Sequence, residues 1–188
     1  MKNICVFLGS RSGHNSALKL ATEKLGELMA KNSLRLVYGG GRVGLMGILA
    51  DSVLTHGGEV IGVIPKSLFA KEVAHTGLTE LHEVITMHER KALMEKFSDG
   101  FIALPGGFGT LDELCEIITW AQIGIHKKPV ALLNAEGFFD HFLEFIKHSC
   151  AQGFILPSDV SDLIFLSEPG AVIEAIQKRL MTADLELK

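Results

Sequence analysis

The chain has 188 residues, of which 47% are apolar and 21% charged, and its formal net charge at pH 7 is −4. This composition predicts one globular domain over residues 1–188, and the dispersed basic residues exclude a basic stripe for a nucleic-acid partner. No apolar stretch is long enough to span a membrane and the first is too short for a signal peptide, so we expect no membrane partner and a cytoplasmic location.

The cysteines and histidines predict neither a disulfide framework nor a metal site. Cys5, Cys115 and Cys150 are odd in number and lack C-x-x-C spacing, and the eight histidines show no metal-ligand spacing. Cys5 falls in an apolar strand and Cys115 in a helix, so we expect reduced, buried thiols.

In chain order, strands alternate with helices throughout. The first half predicts strands at residues 4–8, 34–38 and 59–64, and helices at 16–30 and 45–56. Residues 66–77 show no periodicity and predict a mobile loop over the site. The second half predicts strands at residues 81–85, 101–104, 129–133 and 163–166, and helices at 87–98, 111–123, 138–150 and 169–181.

This alternation predicts an α/β fold, a doubly wound parallel sheet with helices on both faces. Ligands of such sheets bind at the carboxyl ends of the strands. Glycine-bearing turns follow three strands, at Gly9, Gly39 and Gly106. All three should face the same edge, and together they indicate one nucleotide crevice.

The second turn matches the dinucleotide fingerprint at Gly39, Gly41 and Gly44. That fingerprint also requires an acid at the end of the next strand, and Glu59 lies at the wrong end. NAD and FAD are therefore disfavoured, whereas a mononucleotide stays compatible. The turn also lacks the Gly-Lys-Ser/Thr ending of a P-loop, and its glycines could simply make a tight turn.

The third turn, Pro105-Gly106-Gly107-Phe108-Gly109-Thr110, lies between a strand and a helix and predicts a phosphate site. Glu113 follows, and two interpretations compete for it. Thr110 and Glu113 could form a capping box. Alternatively, Glu113 shares a helix face with Glu116, Ile117 and Trp120, so both carboxylates continue an inward stripe. That position favours Glu113 as a catalytic carboxylate near the sugar.

Arg90 lies in the middle of the apolar face of the helix that starts at Met87. A buried charge is costly unless paired, so its partner is Glu113, a bound phosphate, or both in turn. Lys91 points about 100° away, as expected of a solvated side chain. The broad apolar face of helix 111–123 predicts either core packing or a second subunit, and it comprises Leu114, Ile117, Ile118, Trp120 and Ala121.

Residues 105–113 resemble the P-G-G-x-G-T-x-x-E signature of the LONELY GUY (LOG) family. These are cytokinin riboside 5′-monophosphate phosphoribohydrolases, long mislabelled as lysine decarboxylases. Tyr38-Gly39-Gly40-Gly41 with Gly44-Leu45-Met46-Gly47, and Met87-His88-Glu89-Arg90-Lys91, match two further blocks of the family in the right order. The similarity covers essentially the whole chain.

The resemblance implies a Rossmann-like homodimer that hydrolyses the N-glycosidic bond of an adenosine-type 5′-monophosphate, without a cofactor. It implies Arg90 and Glu113 as the catalytic pair. The substrate-binding positions that we expect are Ser10, Gly40, Gly41, Met46, Glu72, Lys91, Gly106, Gly107, Phe108, Gly109, Thr110 and Thr119. Arg11 stands where many relatives have a small polar residue.

Two other functions stay open. The same crevice could belong to a nucleotide sensor or carrier without turnover. The old family label suggests an amino-acid decarboxylase, but a pyridoxal enzyme needs a Schiff-base lysine and the sequence singles out none.

Overall fold

The computed structural model describes residues 1–68 and 73–186, with side chains described up to residue 183. Strands and helices alternate along the chain. The strands are β1 (Lys2–Phe7), β2 (Leu34–Tyr38), β3 (Val60–Pro65), β4 (Glu80–Val84), β5 (Gly100–Ala103), β6 (Val130–Leu133) and β7 (Ile164–Leu166). The helices are α1 (Ser16–Lys31), α2 (Gly44–Thr55), α3 (Met87–Phe97), α4 (Phe108–Gln122), α5 (Asp140–Ala151), α6 (Pro157–Val160) and α7 (Pro169–Glu186).

The seven strands form one parallel sheet in the order β4-β3-β2-β1-β5-β6-β7. The chain winds outward from β1 to one edge and then returns to build the other half. The Rossmann-like, doubly wound fold predicted from the alternation is thereby confirmed. The reversal falls between β1 and β5, which is where such sheets open a crevice for ligands.

Both faces of the sheet are covered, which explains why the central strands are continuously apolar. Alternate residues of β1 point to opposite sides: Ile4 and Val6 belong to the core beneath α1, α2 and α7, and Cys5 and Phe7 to the core beneath α3 and α4. Every one of these four side chains is buried. Among the described residues, no helix is both long and apolar enough to cross a membrane.

Local signals in the sequence fix several helix ends. Asn15 caps α1 by accepting a hydrogen bond from Ala17 N at 2.9 Å. Thr86 and Glu89 form a reciprocal capping box at the start of α3. The short helix α6 was not predicted, because its four residues carry no periodicity.

One thiol is placed differently from the prediction. Cys5 is buried, as expected for a residue of β1, but Cys115 is exposed on α4. It lies next to the buried Leu114 and points away from the sheet, so the expectation of a buried Cys115 was wrong. All three cysteines are free.

Candidate functional site

The three glycine turns meet at the carboxyl edge of the sheet, as predicted. We call residues 9–13 the first turn, 39–44 the second and 105–110 the third. Gly9 N donates to Pro105 O at 3.1 Å, and Leu45 N donates to Gly9 O at 3.1 Å. The backbones approach so closely that a Cβ on Gly44 would lie 2.5 Å from Arg11 N, and Gly44 has φ +60°.

A cleft of about 560 Å³ opens where the turns meet. Residues from each turn line it, together with side chains from α2, α3 and α4. The predicted site residues among its lining are Ser10, Met46, Arg90, Gly106, Gly107, Phe108, Gly109, Thr110 and Glu113. The structure therefore brings together the predicted catalytic pair and most of the predicted binding positions.

Four of the other predicted positions do not line this cleft. Gly40 packs behind it against Ile64, and Gly41 forms a bridge with Ala74. Thr119 is exposed on α4, seven residues or about 10 Å beyond Asp112, and donates to Cys115 O. Lys91 lies beside the cleft between α3 and α4. Glu72 lies outside the described residues.

The third turn presents backbone N–H groups to the cleft. Helix α4 begins at Phe108 with Gly107 as its N-cap, and its first hydrogen bond runs from Leu111 N to Gly107 O at 3.1 Å. The N–H groups of residues 108–110 therefore lack intrahelical partners and lie at the positive end of the helix dipole. Gly107, Phe108 and Gly109 are exposed. This is an arrangement that binds phosphate.

The early start of α4 overturns the capping-box interpretation of Thr110 and Glu113. Thr110 is the third helical residue rather than the N-cap, and it is buried beneath the turn. A Cβ on Gly106 would lie 2.1 Å from Thr110 Oγ1, so only glycine fits there. Glu113 lies one turn further along and lines the cleft, half-buried, so helix capping no longer accounts for it.

Arg90 reaches the cleft from α3 through a gap at the second turn. It is buried, and its Nη2 donates to Gly39 O at 3.2 Å while Nη1 lies 3.8 Å from Met87 Sδ. A Cβ on Gly39 would lie 1.8 Å from Nη2. Gly39 therefore both makes room for the guanidinium and accepts its hydrogen bond.

The buried Cys5 of β1 is affected by the charges of both members of the predicted pair. Burial raises the pKa of the Cys5 thiol well above its ordinary value, and the negative charge of Glu113 raises it further. Hydrogen bonding to Ser98 and the positive charge of Arg90 act in the opposite direction. The charges of Glu113 and Arg90 therefore act on the same buried thiol in opposite directions.

Lys91 is paired, which corrects the prediction that it is solvated. Its side chain is 12% exposed, and its Nζ lies 3.1 Å from Asp112 Oδ2 and 3.0 Å from Glu116 Oε1. Partial burial lowers the pKa of Lys91, but the hydrogen bonds that its ammonium donates to Glu116 and Asp112 outweigh this effect, so the pKa is raised. The ammonium joins α3 to α4 and neutralises part of the carboxylate charge at the cleft wall.

The second turn is held in place by a segment that sequence reasoning missed. His75 N donates to Gly40 O and Arg42 N donates to Val73 O, both at 2.9 Å. The buried His75 ring accepts from Gly77 N through Nδ1, at 3.1 Å, so Nε2 carries the proton and donates to Asp51 Oδ1 at 2.9 Å. No signal in the sequence links His75 to Asp51, which lies 24 residues earlier on α2.

No metal is suggested by the side chains. Within residues 1–68 and 73–183, no three His, Cys, Asp or Glu side chains are grouped as a metal site would require.

Comparison with known proteins identifies the family. The model of a family described as "possible lysine decarboxylase" matches residues 46–176. The cytokinin riboside 5′-monophosphate phosphoribohydrolase LOG of Oryza sativa subsp. japonica is 50% identical over 170 residues, 90% of this chain and 69% of that protein. The phosphoribohydrolase of the same description from Rhodococcoides fascians is 47% identical over 177 residues, 94% and 89% of the two chains.

A solved structure supports the fold alone. The molybdenum cofactor carrier protein of Chlamydomonas reinhardtii superposes with a TM-score of 0.73, covering 96% of this chain and 98% of that one, at 19% identity. The family rests instead on the extent of the sequence identity over most of the chain. The chain belongs to the LOG family of cytokinin riboside 5′-monophosphate phosphoribohydrolases.

Proposed function

We propose that this protein hydrolyses the N-glycosidic bond of adenosine-type nucleoside 5′-monophosphates, releasing the free base and ribose 5-phosphate. One observation carries the proposal: the half-buried carboxylate of Glu113 lies one helical turn beyond the exposed amides of the third turn, in the same cleft. A phosphate on the amides and a carboxylate about a sugar's width away fit a ribose 5-phosphate between them. The relatives named above carry this activity in their descriptions.

The chemistry follows from the charges in the cleft. As the bond from the sugar to the base breaks, positive charge develops on the ribose ring. The Glu113 carboxylate stabilises that charge and orients the attacking water, whose hydroxyl adds to the sugar and whose proton is taken by the carboxylate. The electron pair of the broken bond leaves with the base nitrogen, and the base is released with one proton, so that water is added across the bond. Arg90 is held in place by the hydrogen bond that it donates to Gly39 O. Its guanidinium anchors the substrate, and its positive charge stabilises negative charge beside it.

The first test is release of base. We expect incubation with AMP, or with its N6-prenylated analogue, to yield free base and ribose 5-phosphate. Glu113→Gln should lower kcat at least about 100-fold, because an amide cannot stabilise the developing charge, and should leave nucleotide binding largely intact. Glu144→Gln is the matched control, since Glu144 is an exposed residue of α5 away from the cleft.

The outcomes separate the candidate functions. Binding of AMP without any release of adenine by the unaltered protein would identify a sensor or carrier. Normal turnover by the Glu113→Gln variant would contradict the role of the carboxylate. The described residues that line the cleft include no lysine that could form a Schiff base, so a decarboxylase is not favoured.

We further propose that the protein is a cytoplasmic homodimer, in agreement with the family resemblance. The predicted apolar face of α4 is largely used by the core, since Leu114 and Ile117 are buried. Other large apolar side chains are exposed on the same face of the sheet, on α5 or just after α4 and α5: Ile123, Ile125, Phe145, Phe154 and Leu156. A second copy would cover them. The three free thiols fit a reducing compartment.

A further inference from the structure

We propose that Arg11 binds the phosphate of the substrate nucleotide, from the wall of the cleft formed by the first turn. The inference rests on the proposed function, because it names a further specificity-determining residue of the same site. The third turn would hold the phosphate from one side through its amides, and the Arg11 guanidinium would hold it from another.

The position of Arg11 is fixed by the meeting of the three turns. A Cβ on Gly9 would lie 3.0 Å from Arg11 O and 3.3 Å from Gly106 Cα, so the backbones of the first and third turns touch beside Arg11. The second turn closes on the other side, where Gly44 packs against Arg11 N. The backbone of Arg11 is thus held firmly, and Arg11 belongs to the lining of the same cleft as Gly107 and Thr110.

The side chain of Arg11 is available to a ligand. Arg11 is exposed, and no hydrogen bond or ion pair to another described residue holds its side chain. The other arginine of the cleft, Arg90, is buried and donates to Gly39 O. Lys91 does not line the cleft, and Asp112 and Glu116 pair with it.

The charge balance of the cleft calls for such a cation. Among its described lining residues the charged ones are Arg11 and Arg90 against Asp112 and Glu113, so these formal charges cancel. A phosphate monoester brings close to two negative charges and would lie at the start of α4, near both carboxylates. A guanidinium can offset that repulsion and bind two phosphate oxygens at once.

The experiment compares arginine variants on substrates with and without a phosphate. We expect Arg11→Ala to raise the KM for AMP about tenfold or more with kcat within about twofold, as for loss of a charged hydrogen bond. The affinity for ribose 5-phosphate as an inhibitor should weaken by a similar factor. Arg11→Lys should fall between, because it keeps the charge and loses the two-pronged geometry. Affinity for adenosine, which has no phosphate, should not change.

Arg42→Ala is the matched control. Arg42 is an exposed arginine of the second turn that does not line the cleft. Arg42→Ala removes the same charge from the surface as Arg11→Ala does, and we expect the KM for AMP to stay unchanged. Equal KM values for Arg11→Ala and Arg42→Ala would overturn the inference. So would an equal loss of affinity for AMP and adenosine, since the contact would then not be to phosphate.

Titration calorimetry with AMP separates this inference from the proposed function. If the unaltered protein binds AMP without releasing adenine, the activity fails, and the ratio of dissociation constants between Arg11→Ala and Arg42→Ala still decides the role of Arg11. If the unaltered protein does not bind AMP, both proposals are overturned.

Discussion

At the scale of single residues, Gly39 and Arg90 depend on each other. Arg90 is buried on an α3 face that also carries the core residue Met94, and its guanidinium occupies the space where any other residue at position 39 would place a Cβ. The hydrogen bond to Gly39 O compensates part of the cost of removing the charge from water. The glycine is therefore needed for the position of a side chain 51 residues away.

Gly39→Ala should lower kcat about 100-fold while the protein stays folded, because Arg90 must move by an ångström or more to admit the methyl group. Steady-state release of base measures the effect, and circular dichroism checks the fold. Gly170→Ala on α7 is the matched control: its nearest neighbour would be Leu28 Cδ1 at 4.0 Å, so activity should not change. A fully active Gly39→Ala protein would show that the position of Arg90 is unimportant.

At the scale of elements, the start of α4 shows what sequence patterns miss. Two glycines around Phe108 are typical of a turn, and the helix was predicted to begin at Leu111. It begins at Phe108, because Gly107 caps it and Gly109 adopts helical backbone angles despite its poor intrinsic propensity. Because Gly107 and Gly109 have no side chains, the first amides of the helix stay open to the cleft.

The pairing of α3 with α4 was not predictable either. Lys91 was expected in solvent because helical periodicity places it away from the apolar face of α3. The sequence does not say which helix packs against that side of α3. The acids that pair with it, Asp112 and Glu116, are more than 20 residues away. Arg90 was identified correctly as inward-facing because that inference needs only the periodicity of its own helix.

The connection between α4 and β6 contains a buried, neutral histidine that should make stability depend on pH. His126 Nε2 donates to Ile117 O at 2.9 Å, and Nδ1 accepts from Lys128 N at 3.1 Å. Burial lowers the pKa of His126 below its ordinary value, and the charge of Lys128 lowers it further, although the bond to Ile117 O opposes this. The folded protein therefore takes up a proton less readily than the unfolded chain.

The free energy of unfolding should fall as the pH drops below about 6.5, the pKa of an unfolded histidine. Above that value both states are neutral at this site, and below it the unfolded chain gains a proton first. Urea unfolding at pH 8 and pH 5.5 measures the difference. The difference in the free energy of unfolding between the two pH values should become smaller in His126→Gln. It should persist in His141→Gln, because the side chain of His141 is 97% exposed. An undiminished difference in His126→Gln would assign the effect to other groups.

At the scale of the whole molecule, several large apolar side chains are exposed near the ends of α4 and α5. Phe154 is 85% exposed, Ile123 63% and Leu156 62%. The hydrogen bond from Gln122 Nε2 to Asp159 Oδ2, at 2.9 Å, brings the end of α4 beside α6, so these residues belong to one region. Contiguous apolar surface of this kind typically marks an interface between proteins.

Phe154→Asp should convert the proposed dimer to a monomer, because a charge would have to be buried in the apolar contact. Sedimentation equilibrium should give twice the chain mass of 20.4 kDa for the unaltered protein and the single mass for the variant. Leu20→Asp is the control, since Leu20 is 64% exposed on α1, which packs on the other face of the sheet. An unaltered protein of single mass would contradict the dimer, and a dimeric Phe154→Asp would locate the interface elsewhere.

The architecture and the edge that carries the site were predictable because they depend on repeated, local signals. Continuous apolar runs identified strands buried on both faces, and a parallel sheet places every strand end on one side. The three glycine turns could therefore be expected to meet. Other features depend on packing between distant segments, which a single sequence does not specify. These are the hydrogen bonds between the turns, the hydrogen bond from His75 to Asp51 and the exposure of Cys115.

The strand order has a consequence for how this site could be rebuilt. The three turns follow β2, β1 and β5, which are consecutive at the centre of the sheet although they are far apart along the chain. No contiguous fragment shorter than about half of the chain contains all three. Complementation between two separately produced fragments, split after α2, should therefore restore nucleotide binding only when both are mixed, whereas redesign of the outermost strand β7 leaves the junction of the turns untouched.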